Sequence, residues 1–157
     1  MKPNIGISEK KLNNVNTILS SMLSNEMTLY IKTRKFHWNV SGGSFMELHK
    51  LFENQYKQLE ESIDEVAERI NKLGGNTIGT MQEFLKISII KEEPGKYDSS
   101  KDLIKQLLKD HETIIIELRS NVKDCLNKFE DAGTTDFLTG LLVQHETIAW
   151  TLRRYLK

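Results

Sequence analysis

Two histidines, His37 and His49, flank a short glycine turn at 41–43, each about six residues from its centre. In a helical hairpin that closes at this turn, the two imidazoles lie level with each other on neighbouring helices. Imidazole nitrogen is a common ligand of zinc, copper, iron and nickel. The spacing therefore predicts that the two side chains meet one metal ion.

An acidic pair, Asp64 and Glu68, lies four residues apart on one face of the predicted second helix. Asp64 follows His49 by fifteen residues, which is about 22 Å at the helical rise of about 1.5 Å per residue. The two pairs therefore cannot bind one ion within a single chain. If a second copy packs antiparallel across a twofold axis, they form two equivalent sites. Nitrogen and carboxylate ligands suit iron, manganese or zinc better than copper(I) or an iron–sulfur cluster.

Each of these residues also has a simpler explanation. His37 continues an apolar stripe, which is typical of a histidine in a protein core. Asp64 and Glu68, taken alone, are typical of a solvated helix face, because neighbouring carboxylates repel each other without a cation between them. Only the complementarity of the two half-sites favours a metal centre.

The composition excludes several functional classes. The length of 157 residues favours a single domain, 1–157, and 22 basic against 22 acidic residues give no net attraction to nucleic acid or acidic membranes. One cysteine, Cys125, argues against a disulfide framework. The sequence lacks the apolar core of a signal peptide and a run of about 18 apolar residues. These features predict a cytoplasmic protein with no membrane partner.

Four long helices are predicted to position these residues, because apolar side chains recur at helical spacing between turn signals. A long connection, 74–100, carries an amphipathic segment from Met81 to Ile90. The predicted helices run from the cap Ser8 to about Val40, from Ser44 to about Leu73, from Ser100 to about Phe129, and from the cap Thr135 to the end. A long middle crossover favours an all-α, ferritin-like four-helix bundle.

The sequence His-Glu-Thr-Ile occurs twice, beginning at His111 and at His145. Neither copy has the second histidine of a zincin motif. Both histidines fall within apolar stripes, so we expect them in the core. The chain also lacks any Glu-x-x-His, the signature of a di-iron site inside one subunit. This absence favours a site at an interface.

The residues around the histidine pair resemble those of the Dps proteins (DNA-binding proteins from starved cells, or mini-ferritins). The resemblance covers nearly the whole chain, including the Thr-Asp-Phe-Leu segment at 135–138 and the region of Trp150. The residues that carry it are His37-Trp38-Asn39-Val40, Gly42, Phe45, Leu48-His49, Asp64-Glu65-x-Ala67-Glu68-Arg69 and Leu73-Gly74.

This resemblance implies a homododecameric shell that oxidises Fe(II), commonly with hydrogen peroxide, and stores ferric mineral without an organic cofactor. It implies ferroxidase centres between twofold-related subunits, with His37 and His49 from one chain and Asp64 and Glu68 from the other. Many members have an aspartate where this chain has Glu53, which can still ligate with a different reach. Trp38 occupies the place of the family's tryptophan, where it either intercepts radicals or packs at the interface.

Iron entry and DNA binding give two further predictions. The turn at Asp131, with Asp136 after it, resembles the threefold pore of the family, although Asp136 is also a plausible helix cap. We expect weak or absent DNA binding, because the first residues offer only Lys2 before the helix. The alternatives are a nucleoid-compacting protein that binds metal incidentally, and a helical oligomer whose histidines only pack.

Overall fold

The computed structural model describes residues 3–97 and 99–157, which form five helices. Helices α1 and α2 pack together as one hairpin, α4 and α5 form a second, and α3 lies against α1 within the long crossover. The helices are α1 (Glu9–Asn39), α2 (Phe45–Lys72), α3 (Met81–Ile87), α4 (Ser100–Asn127) and α5 (Ala132–Arg154). The predicted all-α, ferritin-like four-helix bundle with a short helix in its crossover is confirmed.

The first hairpin begins and turns where the sequence predicts. Ser8 caps α1 by accepting a hydrogen bond from the Lys11 backbone N–H. Gly42 has a φ of 98°, in the left-handed region that favours glycine, and lies in the turn before α2. Ser44 occupies the N-cap position of α2, but its side chain makes no capping hydrogen bond. The turn therefore depends on glycine more than on the serine.

The start of the last helix differs from the prediction. α5 begins at Ala132, and its cap is Asp131 rather than Thr135. The Asp131 carboxylate accepts hydrogen bonds from the Thr134 backbone N–H at 2.9 Å and from its hydroxyl at 2.5 Å. Aspartate is a strong N-cap because it accepts from unpaired amides and carries the charge that the helix dipole favours. A glycine, Gly133, in the first turn concealed this start from the sequence pattern.

The core is formed by the apolar stripes of the four long helices. Most of the predicted stripe residues are buried, among them Leu19, Phe52, Leu107 and Leu138, and the others except Phe45 are partly buried. Phe45 has 39% of its surface exposed at the start of α2. Within the described residues, no helix is long and apolar enough to cross a membrane.

Candidate metal centre

The two histidines beside the turn meet as predicted. His37 lies in the last turn of α1 and His49 in the second turn of α2. Their rings stack with centroids 3.7 Å apart and planes inclined by 24°. Nδ1 of His37 donates to the backbone carbonyl of His49 at 2.8 Å, and Nδ1 of His49 donates to the carbonyl of His37 at 2.9 Å.

This reciprocal contact fixes the tautomer of both rings. A carbonyl oxygen can only accept, so the proton of each neutral imidazole is assigned to Nδ1. The lone pair then lies on Nε2, the nitrogen at the far side of the ring. Histidines that bind metals commonly donate their other N–H to a carbonyl or a carboxylate, which orients the ring and raises its basicity. His37 is 9% exposed and His49 is partly exposed, so the pair lies at the edge of the core.

Glu53 lies one helical turn beyond His49 and is held by two lysines. Its carboxylate contacts Lys57 at 2.5 Å and Lys50 at 2.9 Å. The hydrogen bonds from Lys57 and then Lys50 lower the pKa of Glu53 to about 2. The carboxylate is therefore ionised at neutral pH, as a metal ligand must be. Metal binding by Glu53 has to compete with both lysines.

The acidic half-site lies elsewhere on α2. Asp64 and Glu68 are exposed, and Lys72 contacts Glu68 at 2.8 Å, which lowers the pKa of Glu68. Because α2 is a continuous helix of 28 residues, Asp64 stays about 22 Å from His49 along the axis. Among residues 3–97 and 99–157, no group of three or more histidine, cysteine, aspartate or glutamate side chains is arranged to hold a metal ion. The histidine pair and the acidic pair are therefore not brought together within these residues of one chain.

Apolar side chains surround the histidine pair at the protein surface. Trp38 is 64% exposed and Met46 is 74% exposed. The ring of Phe45 lies 5.0 Å from that of His49. Exposed apolar clusters of this kind are typical of surfaces that contact another protein.

An aromatic cluster adjoins His37 and was missed by the sequence analysis. The Arg34 guanidinium lies over three rings, at 4.5 Å from Tyr56, 5.4 Å from Tyr30 and 5.6 Å from Trp38. Its Nη1 donates to the Tyr30 hydroxyl at 2.5 Å, and this hydrogen bond raises the pKa of Arg34. Tyr30, Arg34 and Trp38 follow one another at intervals of four residues, and this spacing could have indicated the cluster in the sequence.

The second pair of histidines lies in the core, where the sequence analysis expected it. His111 on α4 and His145 on α5 are fully buried, with their Nδ1 atoms 2.8 Å apart. Nε2 of His145 lies 2.7 Å from the carboxylate of Glu26, which α1 contributes and which is also fully buried. Burial, and then the neighbouring His145, lower the pKa of His111 well below its ordinary value.

Two ion pairs join α4 and α5 at the repeated sequence that contains these histidines. Each copy is followed by an arginine eight residues after its histidine, Arg119 and Arg153. Arg119 contacts Glu146 of the second copy, and Arg153 contacts Glu112 of the first at 2.7 Å. Each glutamate that follows a histidine thus pairs with the arginine of the other copy. These pairs are exposed and contribute little stability, so the repeat reflects the antiparallel packing of the two helices.

The predicted pore residues have different environments. Asp131 is only 3% exposed, and its carboxylate is bonded to Thr134 and lies 3.5 Å from Arg69. This geometry contradicts a solvent-facing role for Asp131, because its oxygens are committed to capping α5. Asp136 is exposed. The pore prediction therefore depends on Asp136.

The basic residues near the termini are partly engaged. Lys2 lies outside the described residues. Lys11 forms an ion pair with Glu130, and Arg153 pairs with Glu112. The Arg154 guanidinium lies 5.9 Å from the ring of Trp150. The prediction of weak or absent DNA binding stays a prediction.

Comparisons with known proteins define the class. A model of the ferritin-like domain matches residues 16–157, so the chain is a ferritin-like protein. DNA protection during starvation protein 2 of Bacillus anthracis is 34% identical over 139 residues, covering 88% of this chain and 94% of that protein. A low temperature-induced protein of Nostoc sp. is 42% identical over 154 residues, covering 98% of this chain and 86% of the relative.

Solved structures lead to the same family. Dps from Thermosynechococcus elongatus has a TM-score of 0.90 at 30% identity, covering 94% of this chain and 93% of that one. Dps from Vibrio cholerae O1, described as a member of a broad superfamily of ferritin-like diiron-carboxylate proteins, has a TM-score of 0.93 at 28% identity, covering 99% and 97%. The chain belongs to the Dps family. Membership supports iron storage and oxidative protection as its general function.

Proposed function

We propose that this protein is a ferroxidase and iron store, built as a shell of twelve identical chains, that oxidises Fe(II) with hydrogen peroxide. The observation that carries the proposal is the reciprocal bonding of His37 and His49. Both rings commit Nδ1 to a carbonyl, which leaves both Nε2 lone pairs for a metal.

The remaining ligands come from a second copy related by a twofold axis. Asp64 and Glu68 of that copy supply carboxylate oxygens to the ion that His37 and His49 bind. By the same symmetry, Asp64 and Glu68 of this chain supply oxygens to the ion that the histidines of the copy bind. Glu53 adds a carboxylate once it leaves Lys50 and Lys57. Iron is the substrate: two Fe(II) ions supply the two electrons that reduce one hydrogen peroxide to water. The exposed apolar side chains beside the histidines support this as a contact surface.

A crystal soaked anaerobically with Fe(II), or with Zn(II) as a substitute that cannot be oxidised, tests the proposed centre. We expect anomalous density between Nε2 of His37 in one chain and Asp64 of a second. Density between His111 and His145 instead, or no density at either place, would contradict the proposal. Sedimentation tests the shell, since twelve chains of 18.2 kDa give about 218 kDa in a closed assembly.

Nucleoid compaction is the alternative function, and we propose that it is weak or absent. Duplex affinity comes largely from cations that replace condensed counterions, whereas this chain has no net charge and Lys11 is paired with Glu130. A gel shift in about 150 mM salt tests this. Retention of plasmid at submicromolar shell, lost on Lys10→Ala with Lys11→Ala, would support the alternative.

A further inference from the structure

The start of α2, which leads into His49, is an exposed segment of the first hairpin. Residues 41–47 are all exposed, and the first buried side chain of α2 is that of Leu48. Ser44 occupies the N-cap position without making a capping hydrogen bond. The ends of helices fray readily, because their backbone groups lack partners within the helix. His49, in the second turn, therefore adjoins a helix end that has no side-chain cap.

One contact from the second hairpin reaches this segment. The Tyr155 hydroxyl donates to the Glu47 carboxylate at 2.7 Å. Glu47 lies in the first turn of α2, and Tyr155 directly follows α5. Among the residues that the structure describes, no other hydrogen bond or ion pair joins residues 41–49 to a residue outside α1 and α2. The position of this helix end therefore depends on a residue at the opposite end of the chain.

Tyr155 is itself fixed by the core of the bundle. Its backbone N–H donates to the Leu152 carbonyl at 3.2 Å, and Leu152 is fully buried. The side chains of Tyr155 and Leu156 are partly buried and pack against the core. A residue that is fixed by packing can hold a partner in a defined geometry. The contact therefore attaches the exposed start of α2 to a fixed part of the second hairpin.

Both hydrogen bonds that orient the histidine pair depend on this part of α2. His37 Nδ1 donates to the backbone carbonyl of His49, and His49 Nδ1 donates to the carbonyl of His37. A shift in the first turns of α2 would move the ring and the carbonyl of His49 together. Both rings would then lose their partner, and neither Nε2 lone pair would keep a fixed direction.

We propose that Tyr155 is a positioning residue for the metal centre, because its hydrogen bond to Glu47 holds the start of α2, and with it His49, in the arrangement that binds metal. This role rests on the proposed function. The apparent affinity of a site falls with the fraction of molecules in which the site is formed. Loss of the hydrogen bond should weaken metal binding up to about five-fold, which corresponds to about 1 kcal/mol.

Competition for Zn(II) between the assembled shell and a chromophoric chelator measures this affinity. Tyr155→Phe, which keeps the ring and loses the hydroxyl, should bind Zn(II) up to about five-fold more weakly than the parent. Glu47→Ala should show the same loss. The two changes combined should cause no further loss, because both remove the same hydrogen bond. Glu47→Gln should bind nearly as well as the parent, since its amide oxygen still accepts from the hydroxyl.

Tyr97 provides a matched control. Its hydroxyl donates to the Glu93 carboxylate at 2.7 Å, which is the same kind of bond at the same length, and neither residue hydrogen-bonds to residues 41–49 among the described residues. Tyr97→Phe should therefore keep the affinity of the parent. An equal loss in this variant would overturn the role of Tyr155, because any such bond would then have the same effect. Circular dichroism and sedimentation check that each variant folds and assembles.

Zn(II) binding by His37→Ala separates this inference from the proposed function. Parent affinity in Tyr155→Phe and Glu47→Ala, with binding weakened strongly in His37→Ala, would overturn the positioning role and leave the metal centre intact. A loss in Tyr155→Phe that Glu47→Ala does not share would also overturn it, since Tyr155 would then act through another partner. Zn(II) binding that is unchanged in His37→Ala would overturn both the positioning role and the centre on which it rests.

Discussion

The two histidine pairs of this bundle bring their imidazoles together in opposite ways. In the pair His37 and His49, each Nδ1 donates to a backbone carbonyl of the other residue. In the pair His111 and His145, the two Nδ1 atoms bond to each other, and Nε2 of His145 faces the carboxylate of Glu26. The first pair keeps both Nε2 lone pairs for a ligand, whereas the second uses its nitrogens within the core.

Burial and the choice of nitrogen, more than residue type, determine what each of these histidines does. In the core network, the His145 Nε2–H donates to Glu26 and its Nδ1 accepts from His111, if both rings are neutral. One oxygen of Glu26 and Nε2 of His111 then have no hydrogen-bond partner among the described residues. Such unpaired buried atoms cost stability. The core pair is therefore a sensitive structural element, whereas we propose that the surface pair binds metal.

The largest expected difference between the two histidine pairs is in the rate of Fe(II) oxidation. His37→Ala and Asp64→Ala should each abolish rapid, peroxide-driven oxidation of Fe(II). The rate should fall by at least the roughly 10–100-fold that is typical when a residue that orients a metal ligand is removed. Stopped-flow absorbance of Fe(III) measures the rate. Shells mixed from the two variants should regain part of it, because some interfaces then contain two intact half-sites.

Glu61→Ala is the matched control for this prediction, since Glu61 is an exposed acid on the same helix. It should oxidise iron at the parent rate. If His37→Ala and Asp64→Ala also do so, the metal centre is wrongly assigned.

The second effect is on stability and concerns the core pair. Glu26→Ala leaves the buried His145 Nε2–H without its acceptor, and a buried donor that loses its partner costs about 1–3 kcal/mol. His49→Ala removes one hydrogen bond at a partly exposed site, which is worth about 1 kcal/mol. Urea unfolding at equal chain concentration measures both, because assembly contributes to apparent stability. Equal losses would mean that the two pairs do not differ in structural importance.

The third effect is the pH dependence of the same network, in which His145 contacts His111 and Glu26 contacts His145. Burial lowers the pKa of His111 in the folded state, while the unfolded chain has the ordinary value of about 6.5. Below about pH 6.5 the unfolded chain therefore binds a proton at His111 that the folded protein does not bind. The free energy of unfolding should then fall by up to about 1.4 kcal/mol for each pH unit below that value, whereas above it His111 causes no loss. Unfolding of the parent and of His111→Gln on both sides of this pH measures the slope. A parallel pH profile for the variant would show that His111 does not cause the loss.

The smallest effect concerns iron entry through the proposed pore. Asp136→Asn should slow iron uptake modestly at low ionic strength, because one charge sign along a path concentrates the opposite ion and salt screens it. Asp131→Asn, at the buried cap, should leave uptake unchanged. Uptake rates in low and high salt, with sedimentation to check assembly, measure this. Equal rates for Asp136→Asn and the parent would remove the pore assignment.

The positions of the helices follow from the sequence alone. So does the distance that keeps the two half-sites from binding one ion within a chain. Apolar spacing, the Ser8 cap and the glycine turn are local signals, because each acts within a few residues along the chain. The rise of a helix is equally local, so the distance from His49 to Asp64 follows from their numbers. The proposal of a second chain therefore follows from the spacing of the four proposed ligands.

The use of individual polar groups depends instead on tertiary packing. Glu26 and His145 are 119 residues apart, and the bond between them exists only because the fold brings these positions of α1 and α5 together. The cap at Asp131 was hidden because Gly133 resembles a loop residue, yet a Cβ at that position would lie 2.9 Å from the Arg69 guanidinium. Likewise, the tautomers of His37 and His49 depend on carbonyls that the hairpin brings opposite them. Periodicity specifies which residues share a face, but hydrogen bonds across helices depend on packing that no local pattern records.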